Sequence, residues 1–366
     1  MATKTVDHEN SSRRGFIKQG LTLGVGASLS GFISSPAVGQ SPVGMISERS
    51  KKLMTLFNLK YPIFQAAPGG EELAIAVSNA GAMGAIQLSW ASPEEGYKMV
   101  TRIKAATKGS FYVNYILNFK PESLDKALEA GASIVEFSWG MPNQTMVSKI
   151  RSSNAKFGIQ VASKNSAQSA LDLGADFLIA QGIEAGGHVQ AISTLYNTLP
   201  EILEVAKNIP VLASGGITTG HDIRTAIHAG ASGAVLGTRF IATKESNIHD
   251  EYKNSLIQAG ENRTVFTICF NKGWSAQHRV LKNKTFHMWE ADGCPLPGYR
   301  PGENDIIATR PDGTTVERYS IRSPMKGFQG QLTELAMYAG DGVYKIKDLP
   351  TANDLIQRLW KEYETQ

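Results

Sequence analysis

The sequence predicts an α/β fold, a (β/α)8 TIM barrel followed by a smaller appended C-terminal region. Three observations lead there. Past Met45, short β-rich apolar runs alternate with longer amphipathic runs, the pattern of a parallel sheet covered by helices. The apolar runs number eight within roughly 190 residues, the count of a closed barrel. Several amphipathic runs end in Ala-Gly or Gly-Ala, a common helix stop. A doubly wound open sheet is the structural alternative, and the strand count together with glycine pairs late in the chain favours the barrel.

In chain order, the strand candidates are "YPIFQAA", "GAIQLSW", "FYVNYIL", "SIVEFSW", "FGIQVAS", "DFLIAQG", "IPVLASGG" and "GAVLGTRF". "PESLDKALEAG", "NSAQSALDLGA" and "HDIRTAIHAGA" between them carry helical spacing. Residues 45–245 are expected to form the barrel. After Phe240 the chain turns rich in Pro, Gly and polar residues, and 246–366 is expected to form a small appended domain. "TELAMYAGDGV" and "TANDLIQRLWKEY" read there as helices returning to the barrel. Residues 1–39 read as an address: "SRRGFIK" carries twin arginines, Arg13 and Arg14, ahead of a glycine-rich apolar stretch. That stretch is shorter than the roughly 20 residues of a spanning helix. The expectation is twin-arginine export to the periplasm, with the export machinery as a partner.

With 366 residues and 42% hydrophobic content, the chain can bury a sizeable core. A net charge of +4 without a basic, aromatic-interleaved stripe argues against nucleic acid. Cys269 and Cys294 form no CxxC pair and sit beside no histidine at zinc spacing, so no metal is expected. Neither lies at a barrel strand end, which excludes a thiol nucleophile there.

Chemistry in such barrels gathers at the carboxyl ends of the strands. The seventh candidate ends in "ASGGIT" and the eighth in "LGTRF". Small residues there let backbone N–H groups approach an anion, and these two loops are the recurrent phosphate site of the fold. Ser214, Gly215, Gly216, Gly237 and Thr238 are the candidate phosphate cradle. Gln65, Asn114, Gln160 and Gln181 place amides at other strand ends, where they can both donate and accept hydrogen bonds. That mixed character suits a flavin edge; a sugar or nucleotide base would suit it too. No GxGxxG follows a strand, so a mononucleotide, FMN, is expected over FAD. The sixth strand runs into "AQGIEAGGHVQ", where Gly186 and Gly187 make room and His188 supplies an acid–base group. Glu184 in the same stretch reads as a partner for His188 or as a cap for the next helix.

"PIFQAA", "AVSNAGAMGAI", "AQGIEAGGH", "ASGGI" and "LGTRFIATKES" resemble the nitronate monooxygenase family, formerly called 2-nitropropane dioxygenases. The resemblance spans the chain past the N-terminal segment. It implies an FMN-binding barrel with a smaller domain covering the substrate. It also implies FMN contacts from Gln65, Ala66, Asn114, Gln160 and Gln181, phosphate at Gly216, Gly237 and Thr238, and the family's catalytic histidine at His188. The implied reaction oxidises an alkyl nitronate with oxygen to a carbonyl compound and nitrite. His188 would deprotonate a neutral nitroalkane or orient its anion, and a protonated His188 would favour anion binding. Three positions depart from the family pattern: "GGHVQ" replaces "GGHxG", "QAAPGGE" lacks the usual methionine, and Ser138 stands where many members carry histidine. FMN-dependent enoyl and quinone reductases, which take hydride from NAD(P)H, share "EAGGH" and "GTRF" and are the alternative reading. A barrel that binds a flavin without turnover is a third.

Overall fold

Eight strands close into the expected barrel: β1 (Ile63–Gln65), β2 (Gly84–Gln87), β3 (Phe111–Ile116), β4 (Ile134–Ser138), β5 (Lys156–Val161), β6 (Phe177–Gln181), β7 (Val211–Ser214) and β8 (Gly233–Leu236). The computed structural model describes residues 46–365; the proposed export segment, 1–39, lies outside them. Each of the eight apolar runs supplies one strand. Neighbours run parallel in the order β1-β8-β7-β6-β5-β4-β3-β2. A parallel bridge between Phe64 and Met83 joins the two ends, with Met83 N donating to Ile63 O at 2.9 Å.

Local chemistry sets the helices between strands. Ser92 and Glu95 form a capping box with Pro93 in the first turn, and Thr219 with Asp222 forms another. The Ala-Gly stops work as expected: Gly131 and Gly230 take φ of +89° and +101° just past their helices, a conformation that costs other residues a Cβ clash.

Strand alternation sorts the core into two shells. Val113, Val135, Phe137 and Ile159 face the helices. Phe64, Met83, Tyr112, Ile134, Phe177, Ile179 and Leu212 fill the barrel interior. Leu53 and Phe57, on the helix Glu48–Phe57, join that inner group, and Phe57 packs edge-on to Phe177 at 5.2 Å. This helix stoppers one end of the barrel. Only the other end, at the strand carboxyl termini, is left for chemistry.

After β8 the chain makes a short helix, Thr238–Ile241, and leaves the barrel pattern. Thr264–Thr267 and His278–Leu281 build a three-stranded antiparallel sheet whose third strand is Gly187–His188. A second sheet comprises Ile306–Thr309, Thr315–Glu317 and Gln329–Gly330. The helix Ala352–Glu364 then returns to the barrel. Its Leu355, Ile356 and Leu359 join Leu73, Val77, Ile223 and Ile227 in the outer core, completing the ring of helices that the short helix after β8 leaves open.

One expected helix is corrected. "TELAMYAGDGV" is mostly extended, with short 3-10 turns at Leu332–Glu334 and Asp341–Lys345. Leu281 N donates to Met337 O at 2.8 Å and Ala339 N to Arg279 O at 3.3 Å. Its run of buried apolar residues is strand-like packing on His278–Leu281, and a short apolar run alone does not separate helix from strand. Cys269, buried, and Cys294, exposed, are both free thiols.

Candidate active site at the carboxyl end of the barrel

Above the apolar interior lies a polar layer. Asn114, Glu136, Gln160 and Gln181 share the inward parity of Tyr112, Ile134, Gly158 and Ile179 one step below them. Asn114 and Glu136 sit opposite each other in register, and Asn114 Nδ2 donates to Glu136 Oε2. Gln160 Nε2 donates to Gln190 Oε1 at 3.0 Å, and Gln181 Oε1 accepts from Gln190 N at 2.8 Å. Gln65 is placed differently from the other three amides. It shares the outward parity of Ile63, and its amide bridges both backbone groups of Ala85, at 3.2 Å each. The side chain takes the place of ladder bonds at the β1–β2 seam. Ala66, next in the chain, packs against the inner group.

His188 enters this layer from the side. Its two-residue strand pairs with His278–Leu281, His188 opposite His278. The ring stacks on Trp274 with centroids 4.1 Å apart, and Tyr338, His278 and Trp139 lie at 5.2, 5.4 and 6.4 Å. Nε2 is shielded from solvent and has no hydrogen-bond partner. Burial drives the His188 pKa down to about 3, with nearby His278 pushing the same way. Burial therefore favours the neutral imidazole at rest, with an unpaired Nε2 that can take a proton from a substrate held against it or hydrogen-bond to it. The same burial disfavours the protonated His188 expected to bind an anion. His278 is fixed differently: Nδ1 lies 2.9 Å from Ala276 O, and Nε2 accepts from Phe270 N at 3.2 Å. Its hydrogen bonds hold one neutral tautomer against the back of His188.

The loops after β6, β7 and β8 meet under a strap, Ala339–Gly342. Gly340 N donates to Thr238 Oγ1 at 3.0 Å, and Asp341 N donates to Glu184 O at 3.0 Å. Gly186 has no room for a side chain, because a Cβ there would lie 2.5 Å from Gly340 N. Arg279 anchors the strap through Asp341 Oδ1 at 2.6 Å and the β6 loop through Ile183 O at 3.0 Å. Gly215 and Gly216 take φ of +132° and +68°, and with Gly237 their N–H groups donate to no acceptor among the described residues. Unpaired N–H groups converging from two strand ends suit an anion. Ser214 ends β7 beneath them, and Gly187 lies in open space next to His188. Glu184 proves to be the cap: its Oε2 accepts from Leu195 N at 3.0 Å at the start of the helix Leu195–Ala206.

Three residues that the sequence reading did not single out belong to this site. Glu136 left a signal, as the one acid in the otherwise apolar run "SIVEFSW" at inward parity. Gln190 was visible only as a departure from a family pattern. It binds the β5 and β6 amides and also Trp139 N, at 3.1 Å, which steadies a tryptophan held at φ +57°, an unusual conformation for a bulky residue. Trp274 left no signal, because its contact with His188 depends on tertiary packing. Trp90, Phe119, Trp274 and Trp139 make an aromatic row from the surface to His188, with centroid spacings of 5.4, 5.4 and 4.8 Å.

The pattern of relatives agrees with this geometry. Residues 120–362 match the model of the Nitronate monooxygenase family. The chain belongs to the nitronate monooxygenase family. It is thus a flavin oxidoreductase of the nitronate monooxygenase type. A nitronate monooxygenase from Pseudomonas aeruginosa is 29% identical, covering 84% of this chain and 97% of its own. A substituted indene-carboxyl-CoA dehydrogenase from Mycobacterium tuberculosis is 28% identical over 65% of this chain and 68% of its own. The structure of FabK from Thermotoga maritima superposes with a TM-score of 0.70 at 24% identity, covering 86% of this chain and 96% of that one. At that identity the likeness speaks for the barrel fold alone.

Proposed function

We propose that this member of the family oxidises alkyl nitronates with oxygen, giving carbonyl compounds and nitrite, with FMN as its cofactor. The observation that carries the reading is His188: a neutral ring whose buried Nε2 has no partner, beside a polar layer and a loop cluster with free N–H groups. FMN fits this donor set. The amides of Gly215, Gly216 and Gly237 would hold its phosphate, and Asn114, Gln160 and Gln181 would face its ring. When bound it supplies a two-electron carrier between substrate and oxygen. His188 removes the α-proton of a neutral nitroalkane or hydrogen-bonds its anion. The aromatic row keeps water from the site and offers apolar surface to the alkyl part of the substrate.

The "EAGGH" and "GTRF" elements, shared with FMN-dependent enoyl and quinone reductases, support a second reading, in which the electrons come from NAD(P)H. Anaerobic mixing of the yellow protein with a nitronate or with NADH separates the two. Bleaching of the flavin by nitronate within the turnover time is expected. Rapid bleaching by NADH and none by nitronate reverses the ranking, and a colourless protein that rejects FMN sinks both. We also propose periplasmic export through Arg13 and Arg14. Cell fractionation should find the protein outside the cytoplasm, and should find it inside once both arginines are replaced; a cytoplasmic wild type refutes export.

A further inference from the structure

We propose that Glu136 is a positioning residue for the flavin ring: it fixes the Asn114 amide and offers its own free oxygen to the ring's polar edge. The inference rests on the FMN reading above.

The geometry leaves this carboxyl few other uses. Glu136 is 3% exposed on the inward face of β4. Its Oε2 accepts from Asn114, and its Oε1 is buried without a partner. Below it, Tyr112, Ile134 and Ile179 form an apolar layer, so the missing partner has to come from the mouth. A buried acceptor or donor left unpaired is costly, and native proteins rarely keep one without a use. A charged form here would lack a cation, since the groups facing it are neutral. These are Asn114 and Tyr112 from β3, Ser138 on its own strand and Gln160 from β5, with His188 and His278 across the mouth. Burial raises the Glu136 pKa to about 7, against the hydrogen bond from Asn114 and the lowering influence of the nearby Gln160 backbone. Below that pH the acid carries its proton and can donate it to a ring carbonyl or nitrogen. Above it the ionised oxygens confront those same acceptors. Burial pushes the Tyr112 phenol well up and the two imidazoles down to about 3 and 4. Glu136 alone among these groups changes charge between pH 6 and 8.

The test is FMN affinity measured by fluorescence quenching from pH 6 to 8.5, for the full-length protein stripped of cofactor and for Glu136→Gln. The glutamine is isosteric and keeps the acceptor for Asn114. The titration of the FMN phosphate is common to both proteins, so the ratio of their dissociation constants isolates Glu136. Wild-type binding is expected to weaken relative to the variant by about tenfold as pH rises through 7. The absorbance band of FMN bound to wild type should shift with the same midpoint, a readout that needs no variant. A constant ratio with an unshifting band, or wild-type binding that strengthens relative to the variant above pH 7, overturns the role given to Glu136. Failure of wild type to bind FMN at any pH overturns the cofactor reading instead, and this inference with it.

Discussion

His188→Asn is expected to keep its flavin and to lose turnover of a neutral nitroalkane by about 10²–10⁴-fold, the usual cost of deleting a general base. Asparagine keeps a polar end near the Nδ1 position and leaves no group at Nε2 to take the proton. The same variant supplied with pre-formed nitronate should lose much less, because the proton has already left; the contrast separates proton transfer from binding. The pH profile adds a second check. A base with its pKa held near 3 stays in its accepting form as pH falls through 6.5 and 5. The acid limb of kcat/KM for the nitroalkane should therefore lie below pH 5, and a limb at 6.5 would count against His188. The sign for stability follows from the same burial. Near pH 6.5 the unfolded chain binds protons at His188 and His278 that the folded chain refuses. Stability contributed by these two rings is present above 6.5 and lost as pH falls toward 4. Unchanged nitroalkane turnover in His188→Asn would remove the residue from the mechanism.

The barrel was legible because its determinants are local. Each strand is a short apolar run, and each helix between carries its own cap or stop, as Ser92 with Glu95 and Gly131 illustrate. The loops after β7 and β8 were legible for the same reason, since glycines following a strand announce a close backbone approach. What escaped depends on distant packing. "TELAMYAGDGV" reads as a helix until His278–Leu281 offers its residues a strand to pair with. Gln65 has the composition of a ligand contact, and only the splaying of β1 from β2 shows that its amide replaces backbone bonds. The charge state of His188 could not be read from the chain, because it is set by Trp274 and Tyr338, which arrive from the far C-terminal part.

Gly342→Ala is expected to be the most damaging small substitution in the site, weakening FMN binding by about 10–100-fold and destabilising the fold by about 1–3 kcal/mol. A methyl group there would run into the Gly216 carbonyl oxygen and lie 3.1 Å from Thr218 Cγ2. Neither side can yield easily. The strap is tied through Asp341 to Glu184 O and Arg279, and through Gly340 to Thr238. On the other side, Gly216 is held at φ +68°. The collision would rotate the Gly216 peptide, whose N–H group is one of those proposed to face the phosphate. Losing a hydrogen bond to a charged group costs about 1.5–3 kcal/mol, which sets the expected change in affinity. Equilibrium dialysis with FMN and urea unfolding would measure both effects. Gly260→Ala is the control, since a Cβ there meets nothing within 4 Å, and it should change neither. If Gly342→Ala binds FMN as tightly as wild type, the anion site does not lie at Gly216, and the phosphate would have to be sought at Gly237 and Thr238 alone.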